Sequence, residues 1–340
     1  MIRLSVLDQS VAVTGRSADA SIRETLALAQ HCEALGYERF WVSEHHSHPT
    51  IVGSAPEVLM AAIAATTRRI RIGSAGVMLP HYSALKVAEQ FRVLEALAPG
   101  RIDLGVGRAP GSDGRTAQLL NPQARSAADH FPQQVRELQA WVGGVNMPEG
   151  HPGQGVSAEP AGPSAPTLWM LGSSGYGAQL AAHYGLPYAF AYFITDGQGA
   201  EEAIAMYREM YRPSLQHPDP LPALCVWALA ADTEAEAWQH FSSRERWKVD
   251  RNRGALGPLQ SPAEVAQRPY SPAEQMQADQ LRRNALVGSG AQVAEKLRAL
   301  SRALDVEELV VITWAHDPAV RRRSYELLAA QLCAAPARTD

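Results

Sequence analysis

Cysteine is scarce in this chain: its 340 residues include three, Cys32, Cys225 and Cys333, and no two of them are close in sequence. Disulfide-stabilised secreted domains and thiolate zinc sites need more cysteines at shorter spacings. The sequence therefore excludes a disulfide framework and a cysteine-based metal site. We expect a reducing, cytoplasmic setting.

Long apolar runs are also absent. The longest covers residues 223–231, whereas a membrane-spanning helix needs about 20 apolar residues. Arg3 and Asp8 interrupt the apolar stretch at the start of the sequence, so it lacks the architecture of a signal peptide. We expect no membrane partner, and we interpret residues 2–8 as a first β-strand.

Charge of neither sign dominates the composition. The chain has 31 basic and 35 acidic residues, a net charge of −4, and 46% of its residues are hydrophobic. Binding to nucleic acid or to an anionic membrane would call for a basic excess. The composition therefore favours a protein with a large core and a small-molecule partner over a nucleic-acid-binding protein.

The chain alternates between strand-like and helix-like periodicity almost from its first residue. Eight strands are predicted, each followed by a helix, and no change of composition marks a boundary between domains. This alternation predicts one α/β domain over residues 1–340, a closed (β/α)8 TIM barrel with its active site where the strands end. The predicted strands are 2–8, 40–43, 70–79, 102–106, 167–171, 188–194, 221–231 and 308–314.

Two connections are longer than a barrel requires. Residues 109–166 follow the fourth strand, and residues 233–286 follow the seventh. Most connections between a strand and the next helix need only a few residues. We expect both segments to be insertions, and the second to act as a lid over the active site.

The densest group of ionisable side chains follows the second strand, at Glu44, His45, His46 and His48. A histidine exchanges protons near neutral pH, and a neighbouring carboxylate can fix its tautomer. The alternative is that one histidine packs structurally while the others lie in a solvated turn. A metal site is disfavoured, because adjacent strand residues point to opposite faces and no second carboxylate–histidine group completes a ligand shell.

Two glycine-containing strand ends suggest a phosphate site. The segment after the fifth strand reads LGSSGYG (171–177), and the fourth strand ends in GVGRAPG (105–111). Free N–H groups at a helix N-terminus and an arginine fork both suit a phosphate. A serine-capped helix start and a surface salt bridge of Arg108 are the alternatives. The glycine spacing is not that of a dinucleotide-binding fingerprint.

The third strand carries small residues at 73–76, which leave space for a flat ligand or allow tight packing of barrel layers. Together with the preceding segments it resembles the bacterial luciferase-like flavin monooxygenase family. The motifs that carry the resemblance are EHH (44–46), IGSAGVMLPHYS (72–83), PGRIDLGVGRAPG (99–111), GSS (172–174) and LVGS (286–289).

The resemblance implies a TIM barrel that binds reduced FMN, which reacts with O2 to a flavin C4a-hydroperoxide and oxygenates an organic substrate, a long-chain aldehyde in luciferase. His45 resembles the family's catalytic histidine, with Glu44 and His46 as its supports. Ala75 and Gly76 fall where the family has a cis peptide against the flavin ring. Arg108 resembles the phosphate-binding arginine, and the second phosphate-side segment corresponds to Ser173, Ser174, Gly175 and Tyr176.

Gly107 departs from the pattern, because luciferase has a cysteine at this cofactor-facing position. The family resemblance also implies a separate NAD(P)H flavin reductase and a homodimer. Two other functions stay open: hydride transfer with the deazaflavin F420, and flavin binding without turnover.

Overall fold

The computed structural model describes residues 2–333, apart from the side chain of Arg125. Its ten strands are β1 (Arg3–Asp8), β2 (Arg39–Val42), β3 (Arg71–Ser74), β4 (Val77–Met78), β5 (Ile102–Gly107), β6 (Thr167–Gly172), β7 (Tyr188–Phe190), β8 (Pro222–Ala231), β9 (Leu286–Ser289) and β10 (Glu308–Ile312).

The helices up to the seventh strand are α1 (Ala18–Leu35), α2 (Pro56–Thr66), α3 (Ala84–Leu97), α4 (Gly114–Leu120), α5 (Ala124–Ala127), α6 (Phe131–Gly143) and α7 (Gly175–Tyr184). Those that follow are α8 (Tyr192–Thr195), α9 (Ala200–Glu209), α10 (Glu234–Asn252), α11 (Pro262–Ala266), α12 (Pro272–Arg283), α13 (Gly290–Leu304) and α14 (Pro318–Leu332). Among these helices, none combines the length and the apolar composition of a membrane span.

Eight parallel strands close into a barrel in the order β1, β2, β3, β5, β6, β7, β8, β10. The ring closes because β10 pairs with both β8 and β1. The short β4 pairs with β5, and β9 pairs with the carboxyl end of β8, outside the ring. The predicted TIM barrel is confirmed.

Three predicted elements differ from the structure. The strand predicted at 70–79 is divided into β3 and β4, because the Ser74 hydroxyl donates to Gly105 O (2.8 Å) and accepts from Gly105 N–H (3.1 Å), replacing backbone pairing there. The strand predicted at 188–194 ends at Phe190, and α8 follows, since a short apolar run fits either element. The sequence pattern also predicts one helix over residues 123–142, and the structure divides it into α5 and α6, because Pro132 occupies the first turn of α6.

The two long connections contain helices of their own. Residues 109–166 include α4, whose N-cap is Asp113; the Asp113 side chain accepts from Thr116 N–H (2.8 Å). Residues 233–286 include α10, α11 and α12, each of which begins with a reciprocal capping box. The short strand β9, unpredicted from the sequence, begins where this second segment ends.

A charge network crosses the interior of the barrel near the amino ends of the strands. Arg39 donates to Glu308 (2.7 Å) and to Asp103 (2.9 Å), and all three side chains are buried. Arg71 also donates to Asp103 (2.6 Å), and Ser5 donates to Glu308 (2.7 Å). Burial would raise the pKa of Asp103, but the charges of Arg39 and Arg71 bring it below its usual range.

We expect Arg39→Met to destabilise the fold by about 3–5 kcal/mol, because removing one partner of a buried ion pair leaves buried carboxylates without their counter-charge. Urea unfolding at neutral pH measures the loss. The matched control is Arg23→Met, which removes an exposed pair with Asp19 and is expected to leave the free energy of unfolding almost unchanged. Similar small losses in both variants would contradict this account.

Candidate functional site

A cavity of about 470 Å³ opens at the carboxyl ends of the barrel strands. This volume lies in the range of small-molecule sites. Eight of the eleven residues predicted for the site line it: His45, Ala75, Gly76, Gly107, Arg108, Ser173, Ser174 and Tyr176. The other three, Glu44, His46 and Gly175, are not among the lining residues.

Glu44 and His46 lie behind the cavity wall. One carboxylate oxygen of Glu44 accepts from His46 Nε2 and from the Tyr82 hydroxyl, each at 2.6 Å, and the other accepts from Met78 N–H (3.0 Å). Burial and the Glu44 carboxylate raise the pKa of Tyr82, so its hydroxyl keeps the donated proton. Glu44 therefore links the end of β2 to β4 and to the segment that follows it.

His45 points the opposite way from His46 and faces the cavity beside His48, with ring centroids 5.8 Å apart. Burial, with smaller contributions from His48 and His46 and against an opposing effect of Glu44, lowers the pKa of His45 to about 4. Its buried Nδ1 has no hydrogen-bond partner among the described residues. His45 is therefore a neutral imidazole at pH 7 with unused hydrogen-bonding capacity.

His48 is held in one tautomer. Its Nδ1 accepts from the backbone N–H groups of Thr50 (3.1 Å) and Ile51 (3.0 Å), so in the neutral ring the proton is on Nε2. Burial lowers the pKa of His48 as well. The loop after β2 thus presents two neutral imidazoles to the cavity, of which the sequence-based prediction selected only His45.

The Ala75–Gly76 peptide bond is cis, at the position that the family resemblance indicated. A Cβ atom on Gly76 would overlap Leu171 Cδ1 and approach Gly105 O to 2.9 Å, so this position admits only glycine. Gly107 differs, because an added Cβ there would meet nothing nearer than Met78 at 3.9 Å. Close packing explains Gly76, while Gly107 borders open space.

Arg108 has no hydrogen bond or ion pair to any described residue, and its guanidinium lies over the Tyr176 ring, 4.1 Å from the centroid. Next to it, α7 begins at Gly175 with Ser174 as its N-cap, and the Ser174 side chain makes no capping hydrogen bond. The first-turn N–H groups of a helix lack intrahelical acceptors. This strand end therefore combines a free guanidinium, two serine hydroxyls and a helix N-terminus, a donor set that fits a phosphate.

The opposite side of the cavity is formed by α10, which the sequence-based prediction assigned only to a lid. Arg244, Trp247, Lys248 and Arg251 line the cavity. Their spacing of three or four residues, which places them on one helix face, is the signal that could have identified them. Trp247 Nε1 donates to the Thr50 hydroxyl (2.8 Å), so α10 is attached to the loop that carries His45.

A profile of the luciferase-like monooxygenase family matches residues 2–307 of the chain. The chain belongs to this family. It is 38% identical over 327 residues to the luciferase-like monooxygenase of Escherichia coli (strain K12), with 96% of each chain covered. It is 37% identical over 342 residues to the N-acetyl-S-alkylcysteine monooxygenase of Bacillus subtilis (strain 168), covering 98% of this chain and 99% of that one.

The crystal structure of apo-MsnO8 superimposes with a TM-score of 0.88 at 36% identity, covering 97% of this chain and 98% of that one. Membership of the luciferase-like monooxygenase family makes the protein an oxygen-incorporating flavin enzyme. The donor set around Arg108 and the unpartnered Nδ1 of His45 both fit a phosphate-bearing flavin in the cavity.

The lowered pKa of His45 predicts a specific pH dependence of stability. The unfolded chain titrates this residue near 6.5 and the folded chain near 4, so the unfolded chain binds more protons between these values. The stabilisation from neutral His45 is complete above pH 6.5 and is lost as the pH falls toward 4.

We expect His45→Gln to show a shallower fall in the free energy of unfolding across this window, measured by urea unfolding at a series of pH values. Above pH 6.5 the difference between variant and wild type should be constant, which serves as the internal control. Parallel curves from pH 6.5 to 4 would contradict a lowered pKa.

Proposed function

We propose that this luciferase-like protein is an FMN-dependent monooxygenase that uses reduced FMN and O2 to oxygenate a small organic substrate. One observation carries the proposal: the neutral, partly unpartnered His45 and the unpaired Arg108 border the same cavity. When bound, reduced FMN supplies two electrons, so that one oxygen atom of O2 enters the substrate and the other leaves as water.

His45 is the proposed proton-transfer residue. As a neutral imidazole it can accept a proton from a reacting group and return it later. Glu44 and His46 are proposed as positioning residues, because they fasten the end of β2 without lining the cavity. His48 Nε2–H adds a hydrogen-bond donor of fixed tautomer beside His45.

Arg108, Ser173, Ser174 and the N-terminus of α7 are proposed to hold the FMN phosphate, with Gly175 and Tyr176 in the same segment. A phosphate carries nearly two negative charges at neutral pH and accepts several hydrogen bonds, which this donor set supplies. The flavin ring is then proposed to lie against Ala75 and Gly76, with Gly107 beside it.

The segment 233–286 is proposed to cover the bound flavin and substrate and so to exclude water. Apolar side chains on this side, Phe193, Trp227 and Trp314, line the cavity, which favours a substrate with an apolar part, an aldehyde among the candidates. A separate NAD(P)H flavin reductase, a homodimer and a cytoplasmic location belong to the proposal, the last supported by three free cysteines.

The test is to mix the protein–FMNH2 complex rapidly with oxygenated buffer and to record absorbance spectra. A long-lived flavin species distinct from reduced and oxidised FMN supports the monooxygenase, whereas immediate oxidised FMN and peroxide contradict it. His45→Gln is expected to bind FMN like wild type but to lower substrate oxidation about 100-fold or more. Tight binding of reduced F420 in place of FMNH2 would instead favour the hydride-transfer alternative.

Arg108→Met is expected to weaken FMN binding by about tenfold or more, because it removes a charge-assisted hydrogen-bond donor from the phosphate. Riboflavin, which lacks the phosphate, should bind wild type and variant equally. Equilibrium fluorescence titrations with both flavins make the comparison. An equal loss for FMN and riboflavin would place Arg108 away from the phosphate.

A further inference from the structure

The buried cationic side chains of residues 2–333 form ion pairs, with one exception. Five arginine or lysine side chains are buried within residues 2–333: Arg39, Arg244, Arg246, Lys248 and Arg321. Arg39 pairs with Asp103 and Glu308, and Arg246 pairs with Asp250 and Glu274. Lys248 pairs with Asp196, and Arg321 pairs with Asp8 and Glu24. Arg244 has no ion pair or side-chain hydrogen bond with any described residue.

Arg244 is 7% exposed and lies on the face of α10 that borders the cavity. Its guanidinium lies over the Trp227 ring, 4.1 Å from the centroid. Asp196 acts on it from beyond ion-pair distance, but both Asp196 oxygens accept from Lys248, at 2.6 and 2.7 Å. Burial lowers the pKa of Arg244 to about 9, which still leaves it charged at neutral pH.

A buried charge without a partner is unfavourable, and buried polar groups are normally hydrogen-bonded. The other buried charged residues of α10 are paired, since Glu245 accepts from Arg282, Arg246 pairs with Glu274, and Lys248 pairs with Asp196. Arg244 borders the cavity, and no described residue supplies an acceptor to its guanidinium. An anionic ligand in the cavity would supply it.

We propose that Arg244 binds a carboxylate of the substrate, so that the oxygenated substrate is an organic carboxylate with an apolar part. The proposal rests on the proposed function and names the substrate class of the same site. The guanidinium fork matches a carboxylate in geometry, and Trp227, Trp247 and Trp314 supply the apolar wall beside it.

Their surroundings assign the unpaired guanidiniums of Arg108 and Arg244 to different groups. Arg108 stands with two serine hydroxyls and a helix N-terminus, which suit a phosphate with nearly two negative charges. Near Arg244, Asp196 neutralises Lys248, and Arg251 is exposed, so that solvent screens its charge. Arg244 is therefore the one buried, unpaired charge of α10, and one such charge matches one carboxylate.

The experiment measures binding of two carboxylates and their uncharged isosteres to the FMN-loaded full-length protein, without turnover. The probes are octanoate with octanamide, and N-benzoylglycine with its primary amide. Isothermal calorimetry at constant ionic strength gives each dissociation constant. We expect wild type to bind at least one carboxylate about tenfold or more tighter than its amide, as for a charged hydrogen-bonded pair.

Arg244→Met should remove this preference, leaving a ratio of about 1–2, while amide affinity and FMN affinity stay as in wild type. Arg244→Lys keeps the charge and should retain part of the preference. Arg23→Met is the control: it removes an exposed arginine that is not among the residues lining the cavity, and it should leave the ratio within about twofold.

Equal affinity of wild type for carboxylates and amides overturns the proposal, and this comparison needs no variant to fold. The proposal is also overturned if Arg244→Met still binds the carboxylate more tightly than its amide. It is likewise overturned if this variant loses FMN affinity while the ratio of carboxylate to amide affinity stays unchanged. Because binding is measured without oxygen chemistry, these outcomes are independent of the absorbance test of the monooxygenase reaction. Failure of that test with an intact carboxylate preference would reject only the proposed function.

Discussion

The barrel of this luciferase-like protein depends on the charge network around Arg39. Five consecutive strands, β10, β1, β2, β3 and β5, contribute Glu308, Ser5, Arg39, Arg71 and Asp103 to it. A slip of one residue in any of these strands would turn its side chain out of the barrel and leave its partners unsatisfied. The network therefore favours one register, and the register determines which residues reach the mouth of the barrel.

The two ends of the barrel differ in whether their arginine side chains form ion pairs. Near the amino ends, Arg39 and Arg71 meet Asp103 and Glu308, so the interior network is balanced within the chain. At the carboxyl ends, Arg108 and Arg244 meet no carboxylate within ion-pair distance. A chain with a net charge of −4 thus keeps its functional positive charge local, where ligands supply the balance.

The sequence predicted the barrel and one side of the cavity, because both follow from patterns of residues that are close together in the chain. Alternating periodicity locates strands, and glycines, serines and an arginine at strand ends mark the region around Arg108. The contribution of α10 was not predictable in this way. Whether Arg244 is paired depends on residues far away in sequence. Only the fold shows that Asp196 forms an ion pair with Lys248 and that Arg244 is left without one.

The roles of adjacent residues were also hidden in the sequence. Glu44, His45 and His46 form one motif, yet His45 enters the cavity while Glu44 and His46 fasten the strand from behind. Strand alternation separates the two histidines, but it does not say which of them faces the ligand. That choice follows from the contacts of Glu44 with Tyr82 and Met78, which come from a different strand end.

One hydroxyl group joins the two halves of the cavity. The Thr50 side chain accepts from Trp247 of α10 and donates to Gly257 O, while the Thr50 backbone N–H donates to the ring of His48. The histidine loop and the covering segment are therefore one mechanical unit at this point. Segment exchange between relatives, in evolution or in the laboratory, must carry residue 50 with residues 233–286, or the transplanted cover loses its attachment to the imidazoles beneath it.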